Sequence, residues 1–247
     1  MSKVSYLNDL AAESRAPFIS ITETHLTTDI LSAEVHITGY TLYRSDRLGG
    51  RTHGGCAFYC QNDITVIETS KYSNNCCECQ ILELKELELI LINIYRPPNS
   101  PKQLFKVTLE KCQVDIEEIM DKETNKSKTL MVTGDFNFPF IKWPETKIHT
   151  SYEEPEKMAS EKIQAKMLID WSEKNFLEQI IISVTRGKNI LDLIFTNSET
   201  LITSYSTIVN KQFSDHNILK VNLNFPYKNE PKSKKKKHIL TIYMNMT

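Results

Sequence analysis

Near the amino end, Val4, Leu7, Leu10 and Ala11 recur at helical spacing with polar residues between them, which predicts a short amphipathic helix ending around residues 14–17. A strand is expected next, over 18–24. Successive β-rich runs follow at 40–44, 55–60, 64–67, 79–84 and 87–95, separated by short polar or glycine-containing turns, and together they read as an antiparallel meander. Ser100-Pro101-Lys102-Gln103 then combines a capping serine, a proline at the first helical position and a glutamine three residues after the cap, which is a strong helix start. Beyond it Leu104, Val107, Leu109, Val114, Ile116 and Ile119 form a mostly apolar face as far as Met120. The run 129–133 reads as a short buried strand that delivers Gly134, Asp135 and Asn137 into the loop at its carboxyl end. Another helix is predicted over 156–174, with Met158, Ile163, Met167, Leu168 and Trp171 inward. Strands are expected over 179–184, 190–196 and 217–224, with a further one near 204–209. No internal repeat is visible. From Pro226 onward Pro, Asn, Ser and Lys dominate, so one domain is expected over 1–225, followed by a basic linker or tail over 226–247. Many strands with few helices between them point to an α/β fold: two mainly antiparallel sheets packed face to face and flanked by helices as a four-layer sandwich, with functional groups on the loops at one edge.

Composition narrows the class without naming a function. The 247 residues are 40% hydrophobic and 25% charged, an ordinary globular mixture that excludes disorder, collagen and coiled coil. No apolar run approaches the roughly 18 residues that cross a bilayer, and residues 1–10 hold no secretory core, so an intracellular protein with no membrane partner is expected. The net charge of −1 hides an asymmetry, because Lys232, Lys234, Lys235, Lys236 and Lys237 supply five of the 30 basic residues. The body before Pro231 therefore carries 25 bases against all 31 acids, or −6, and by itself does not announce a nucleic-acid partner. Cys56, Cys60, Cys76, Cys77, Cys79 and Cys112 lack zinc-ligand spacing and are read as reduced thiols in the core or in strands. Gly49-Gly50 and Gly54-Gly55 are read as tight turns, and Arg44 and Arg47 as either DNA contacts or solvated turn residues.

Acidic and polar residues recur at the ends of the expected strands: Glu23, then Asp135 and Asn137, then Asp192 within 190–195, then Asp215-His216 just before Ile218. Carboxylates held at strand ends suit a hard cation such as Mg²⁺, which takes oxygen ligands and keeps waters for a phosphate-bearing substrate. Taken singly, each is more often a turn or cap residue.

In combination they are far more specific. Thr22-Glu23-Thr24-His25-Leu26, Asn93-Ile94-Tyr95-Arg96-Pro97-Pro98, Gly134-Asp135-Phe136-Asn137-Phe138-Pro139 with Trp143 beyond, Thr185-Arg186, Leu191-Asp192-Leu193-Ile194-Phe195-Thr196 and Phe213-Ser214-Asp215-His216 stand in one order over about residues 4–224. In this the chain resembles the endonuclease/exonuclease/phosphatase superfamily, and within it the endonuclease domain of non-long-terminal-repeat (LINE-type) retrotransposons of the chicken-repeat and jockey-like kind. The resemblance implies a DNase I-like fold and Mg²⁺-dependent hydrolysis of a DNA phosphodiester, with Mn²⁺ as an alternative cation. It implies a nick whose 3′-hydroxyl primes reverse transcription, a covalently linked reverse transcriptase in the parent element, and action in the nucleus. By resemblance Glu23 is the main metal carboxylate and Asp215 the second acid near the metal. His216 contacts the scissile phosphate and Asp192 orients it. Asp135 positions or deprotonates the attacking water, Asn137 donates to the phosphate or to Asp135, and Tyr95 touches phosphate; whether aspartate or histidine is the base stays open. Arg96 and Arg186 are expected on phosphate or the DNA backbone, which guanidinium groups match in a bidentate way.

The family pattern opens with a strand that carries a metal-binding asparagine, whereas Met1 already stands at the entrance to the first helix, so the domain is expected without its first strand. Residues 234–247 resemble the linker toward a reverse transcriptase. A weakly active or inactive domesticated fragment acting as a binding protein, and a superfamily phosphoesterase with another substrate, are the alternatives.

Overall fold

The computed structural model describes residues 2–48, 53–74, 76–122, 128–143, 145, 147–148, 155–209, 212, 214–225 and 238–239. Helix α1 (Lys3–Ser14) starts at Ser2, whose hydroxyl accepts from the Ser5 N–H, and ends at Arg15 in the left-handed conformation. It leads into β1 (Phe18–Thr22), a short 3₁₀ turn (Ser32–Val35), β2 (Tyr40–Ser45) and β3 (Cys56–Gln61). Then come β4 (Val66–Ser73), β5 (Glu78–Leu84), β6 (Leu89–Tyr95), α2 (Lys102–Met120) and β7 (Thr129–Asp135). The two-residue strands β8 (Ile141–Lys142) and β9 (Lys147–Ile148) precede α3 (Pro155–Lys174), and β10 (Glu178–Gln179), β11 (Asp192–Thr196), β12 (Ile202–Ile208), β13 (Ile218–Leu223) and β14 (His238–Ile239) follow. No described helix is long and apolar enough to cross a membrane.

The expected meander over 40–95 divides between two sheets. Strands β2 and β3 join β1 in a three-stranded sheet of order β1-β3-β2, whereas β4 to β6 enter a six-stranded sheet of order β10-β11-β7-β6-β5-β4. Within the larger sheet only β6 and β7 run parallel, with α2 as the crossover between them. A second three-stranded sheet, β12-β13-β14, packs beside the first. β1 is an edge of its sheet, and no described strand bridges the two smaller sheets. His238 and Ile239 pair with Leu223 and Asn222, so two residues of the expected tail belong to a sheet; the rest of 226–247, and Phe213, Gly49 and Gly50, lie outside the described residues.

Burial assigns the layers. Leu82, Leu84, Leu89, Leu91, Met131 and Ile194 of the large sheet meet Phe18, Phe58 and Cys60 of the first small sheet and Leu219, Val221 and Leu223 of the second. Neighbouring residues Ile81, Ile90, Ile92, Val132 and Phe195 point the other way, onto Phe105, Leu109, Cys112 and Ile116 of α2 and Leu168 and Trp171 of α3. Leu7, Leu10 and Ala11 of α1 cover Ile19, Ile21 and Ile218 on the outside of the small sheets. The order is thus α1, small sheets, large sheet, α2 with α3. Each fully buried Leu or Ile contributes about 1.5–3 kcal/mol to this core. β6, Leu-Ile-Leu-Ile-Asn-Ile-Tyr, is apolar on both faces because both are covered, which is why it reads as a continuous run instead of alternating.

Several local expectations differ from what is found. Val114 and Ile163, expected inward, are 46% and 44% exposed, and Phe105 and Cys112 take the inner face of α2 instead. Pro101 is the residue before α2, and the Ser100 hydroxyl donates to the Pro97 carbonyl at 2.6 Å and does not cap the helix. The strand expected over 179–184 is regular only at Glu178–Gln179. All six cysteines are buried free thiols.

Candidate active site

The site is built on one rung of the large sheet. Glu78 pairs directly with Tyr95, Tyr95 with Asp135, and Asp135 with Asp192, so the four residues stand side by side across β5, β6, β7 and β11. Directly opposed residues point to the same face, and here that face is the one toward the small sheets. The next rung inward, Gln80, Asn93, Thr133 and Ile194, is still partly polar, and it fastens the two layers together. Asn93 Nδ2 donates to the carbonyls of Ile21 at 2.9 Å and Ala57 at 3.3 Å, and the Thr133 and Ser20 hydroxyls lie 2.9 Å apart. This stitching fixes where Glu23, just beyond the end of β1, stands relative to the rung.

Glu23 adopts φ +50° and receives the Tyr95 hydroxyl on its carboxylate. Burial and the neighbouring Glu23 carboxylate push the Tyr95 phenol far above its ordinary range, so it remains a donor. On the other side Asp192 Oδ2 lies 2.7 Å from His216 Nδ1, both buried. Burial alone would lower the His216 pKa, but Asp192, and then Asp135, outweigh it and raise it to about 9. Among the described residues, His216 Nε2 is buried with no partner. Asp135 sits between the two halves, and burial and then Asp192 push its carboxyl well above the carboxylate range, with Glu23 adding to the rise.

Thr185, fully buried, holds this half in place. Its hydroxyl accepts from the Leu191 and Asp192 N–H groups at 2.9 and 3.1 Å, and its carbonyl accepts from the Asn217 N–H at 2.6 Å. Gly134 pairs with Ile94 so closely that a Cβ would lie 2.0 Å from the Ile94 carbonyl oxygen, so only glycine permits the parallel approach of β7 to β6 that brings Asp135 beside Tyr95.

Arg96 corrects an expectation. It does not face a phosphate, because it is fully buried and spends its donors inside the protein. Nη2 forks onto both Glu161 oxygens at 2.6 Å, Nε reaches Gln164 at 3.1 Å, and Nη1 reaches the Phe136 and Asn137 carbonyls at 3.0 and 3.3 Å. The guanidinium lies 4.0 Å from the Phe138 ring centroid. Arg96 is therefore an internal strut that ties the loop after β7 to α3. Asn137, at φ +53°, gives its side-chain amide to the Arg96 carbonyl at 2.9 Å and its backbone N–H to Asp135 Oδ1 at 3.1 Å. Its contact to Asp135 is thus made by the backbone, not by the side-chain amide. Arg186 stays half-exposed, 2.5 Å from Asp215 Oδ2.

Asp135, Asp192 and His216 bring ligand atoms within 4.8 Å of one another. Asp192 is already committed to His216, so this group alone is a poor cage. Glu23 and Asp135 offer hard oxygens beside it, and burial followed by the neighbouring Asp192 raises the Asp135 carboxyl, so its charged form gains from a nearby cation. The residues fit such an ion.

Comparison with known proteins places the chain in a family and a fold. Residues 89–220, just over half of the chain, match the endonuclease-reverse transcriptase family. The chain belongs to that family. No curated protein sequence matches it, but solved structures do. The endonuclease domain of TRAS1, a telomere-specific non-LTR retrotransposon, superposes with a TM-score of 0.61 at 18% identity, over 92% of this chain and 93% of its own. The AP endonuclease LMAP from Leishmania major gives 0.64 at 9% identity, over 91% and 83%. The Xenopus laevis APE2 catalytic domain gives 0.59 at 14%, over 88% and 86%. At these identities the likeness establishes the fold. This endonuclease-reverse transcriptase family member thus has the DNase I-like, two-sheet fold of the endonuclease/exonuclease/phosphatase superfamily, whose members are nucleases and phosphoesterases.

Proposed function

We propose that the chain is a Mg²⁺-dependent DNA endonuclease of a non-LTR retrotransposon, with Mn²⁺ as an alternative ion, and that it nicks target DNA in the nucleus to leave a 3′-hydroxyl from which a linked reverse transcriptase extends. The observation that carries this reading is the buried Nε2 of His216, unpartnered among the described residues, on an imidazole that Asp192 holds by its other nitrogen, beside Asp135 and Glu23. That arrangement would supply a proton donor to an anionic substrate group next to an acidic cluster.

Glu23 would hold the ion, with Asp215 as the second acid, and the ion would supply Lewis-acid stabilisation of phosphate charge. The chain's own groups account for the rest. Asp192 fixes Nδ1–H of His216, so Nε2–H can donate to a phosphate oxygen as charge develops. Asp135, its Oδ1 fixed by the Asn137 N–H, would take the proton of the attacking water. Tyr95 keeps the Glu23 carboxylate oriented. Arg186, half-exposed at the rim, is the cation placed to meet the DNA backbone.

A supercoiled-plasmid nicking assay tests this. Nicking with Mg²⁺, abolished by chelator and by His216→Ala, is expected. Absence of Mg²⁺-dependent cleavage, or cleavage that survives the substitution, rejects it in favour of a non-catalytic binding role. Equal hydrolysis of phosphomonoesters would point to a different superfamily substrate.

A further inference from the structure

We infer that Arg47 and Glu78, which carry no expected role in the chemistry, are positioning residues that present Glu23 and Tyr95 to the cation. Glu78 is the outermost member of the catalytic rung, directly opposite Tyr95, and its side chain is fully buried. Arg47 reaches over Tyr95, its guanidinium carbon 5.4 Å from the ring centroid, and lies only 9% exposed. It therefore cannot act as a solvated turn residue or as an open DNA contact. Nε donates to Glu78 Oε1 at 2.7 Å and Nη2 to Oε2 at 3.0 Å, a two-point grip that fixes the plane of the guanidinium, and Nη2 also meets the Cys76 carbonyl. A fully buried carboxylate and a largely buried guanidinium, each otherwise costly, are retained here as a bidentate pair.

The same carboxylate holds the other flank of Glu23. Glu78 Oε2 accepts from the Gly55 N–H at 3.1 Å, and the carbonyls of Gly54 and Gly55 accept from the N–H groups of His25 and Thr24 at 2.9 and 3.3 Å. Glu23 and His25 both have positive φ, at +50° and +54°, a conformation that L-residues keep only when their surroundings impose it. Glu78 is thus connected to Glu23 by two routes. One runs through Arg47 and the Tyr95 ring to the hydroxyl on the Glu23 carboxylate; the other runs through Gly54-Gly55 to the backbone just after Glu23. Space confirms that the arginine has a built seat: a Cβ on Gly54, at φ +95°, would stand 2.4 Å from the Arg47 guanidinium.

This inference rests on Glu23 being a metal carboxylate, so the experiment measures metal binding and cleavage separately. Mn²⁺ affinity is read from the loss of the free-ion electron paramagnetic resonance signal on the full chain, and nicking kinetics are followed in parallel. Glu78→Gln and Arg47→Met are expected to weaken Mn²⁺ binding about tenfold and to lower kcat with little change in KM for plasmid. The double variant is expected to be no worse than either single one, because the pair acts as a unit. Arg47→Lys, which keeps the charge but loses the fork, should recover only part of the affinity. Should the buried substitutions fail to fold, Gly54→Ala displaces the guanidinium from a loop position and should weaken Mn²⁺ binding in the same direction. Folded variants that bind Mn²⁺ within twofold of the parent overturn the inference while leaving the endonuclease reading intact. A parent chain that neither binds Mn²⁺ nor nicks overturns both.

Discussion

His216 shows how much a single contact sets. Its folded pKa of about 9 lies above the ordinary value of 6.5, so the Asp192–His216 pair stabilises the fold fully below about pH 6.5, and that contribution is lost as pH rises through about 9. Asp192→Asn should return the His216 titration toward its ordinary value, read by NMR of the imidazole protons, and remove this slope from the pH dependence of stability. The same change should cost about 10³-fold or more in nicking, because Nδ1 then loses the carboxylate that fixes the tautomer and stabilises the imidazolium. Asp135 too holds its proton more tightly in the folded state, but there the favoured form is the neutral one. Its carboxyl is held above its normal range by burial and by Asp192, so its ionisation opposes folding as pH rises. Asp135→Asn should stabilise the metal-free protein by about 1 kcal/mol at neutral pH while abolishing cleavage, a trade between stability and function seen at many sites.

At the scale of elements, the loop after β7 depends on a cation inside the protein. Arg96→Met leaves Glu161 without its fork and the Phe136 and Asn137 carbonyls without donors, so about 3–5 kcal/mol should be lost in urea unfolding. Gly134→Ala forces a methyl against the Ile94 carbonyl and should cost about 3 kcal/mol by the same measurement. These two residues also mark where reading a single sequence stops. Gly134 and Arg96 stand in recognisable motifs, yet nothing in an arginine followed by two prolines says that its charge is satisfied internally by Glu161 and Gln164, both far along the chain on α3. The order of strands and helices, and Glu23, Asp135, Asp192 and His216 as a set, were legible from periodicity and motif. The division of the meander was not, because β3 and β4 carry no local sign of which sheet each will join. The pairing of Glu78 with Arg47 was not legible for a related reason. Each is an ordinary polar residue at a strand end or turn until pairing sets it against Tyr95.

On the scale of the whole molecule, a bound divalent ion should act as a thermal clamp. If it occupies the acidic cluster only in the folded state, saturation at 100 times its Kd adds about 2.7 kcal/mol. A calorimetric scan should then show a Tm that rises with Mn²⁺ in the parent and fails to rise in Glu23→Gln. The rung itself carries a last consequence, for insertions and deletions. Side chains alternate along every strand, so a one-residue slip in β5, β6, β7 or β11 turns its member of the rung into the helix-facing oil and brings Cys79, Ile94, Gly134 or Leu193 into its place. A deletion inside any of these strands should therefore abolish function as completely as loss of the histidine, even where the residue removed is a plain aliphatic one. Turns away from Gly54-Gly55 and the loop after β7 should tolerate changes of length.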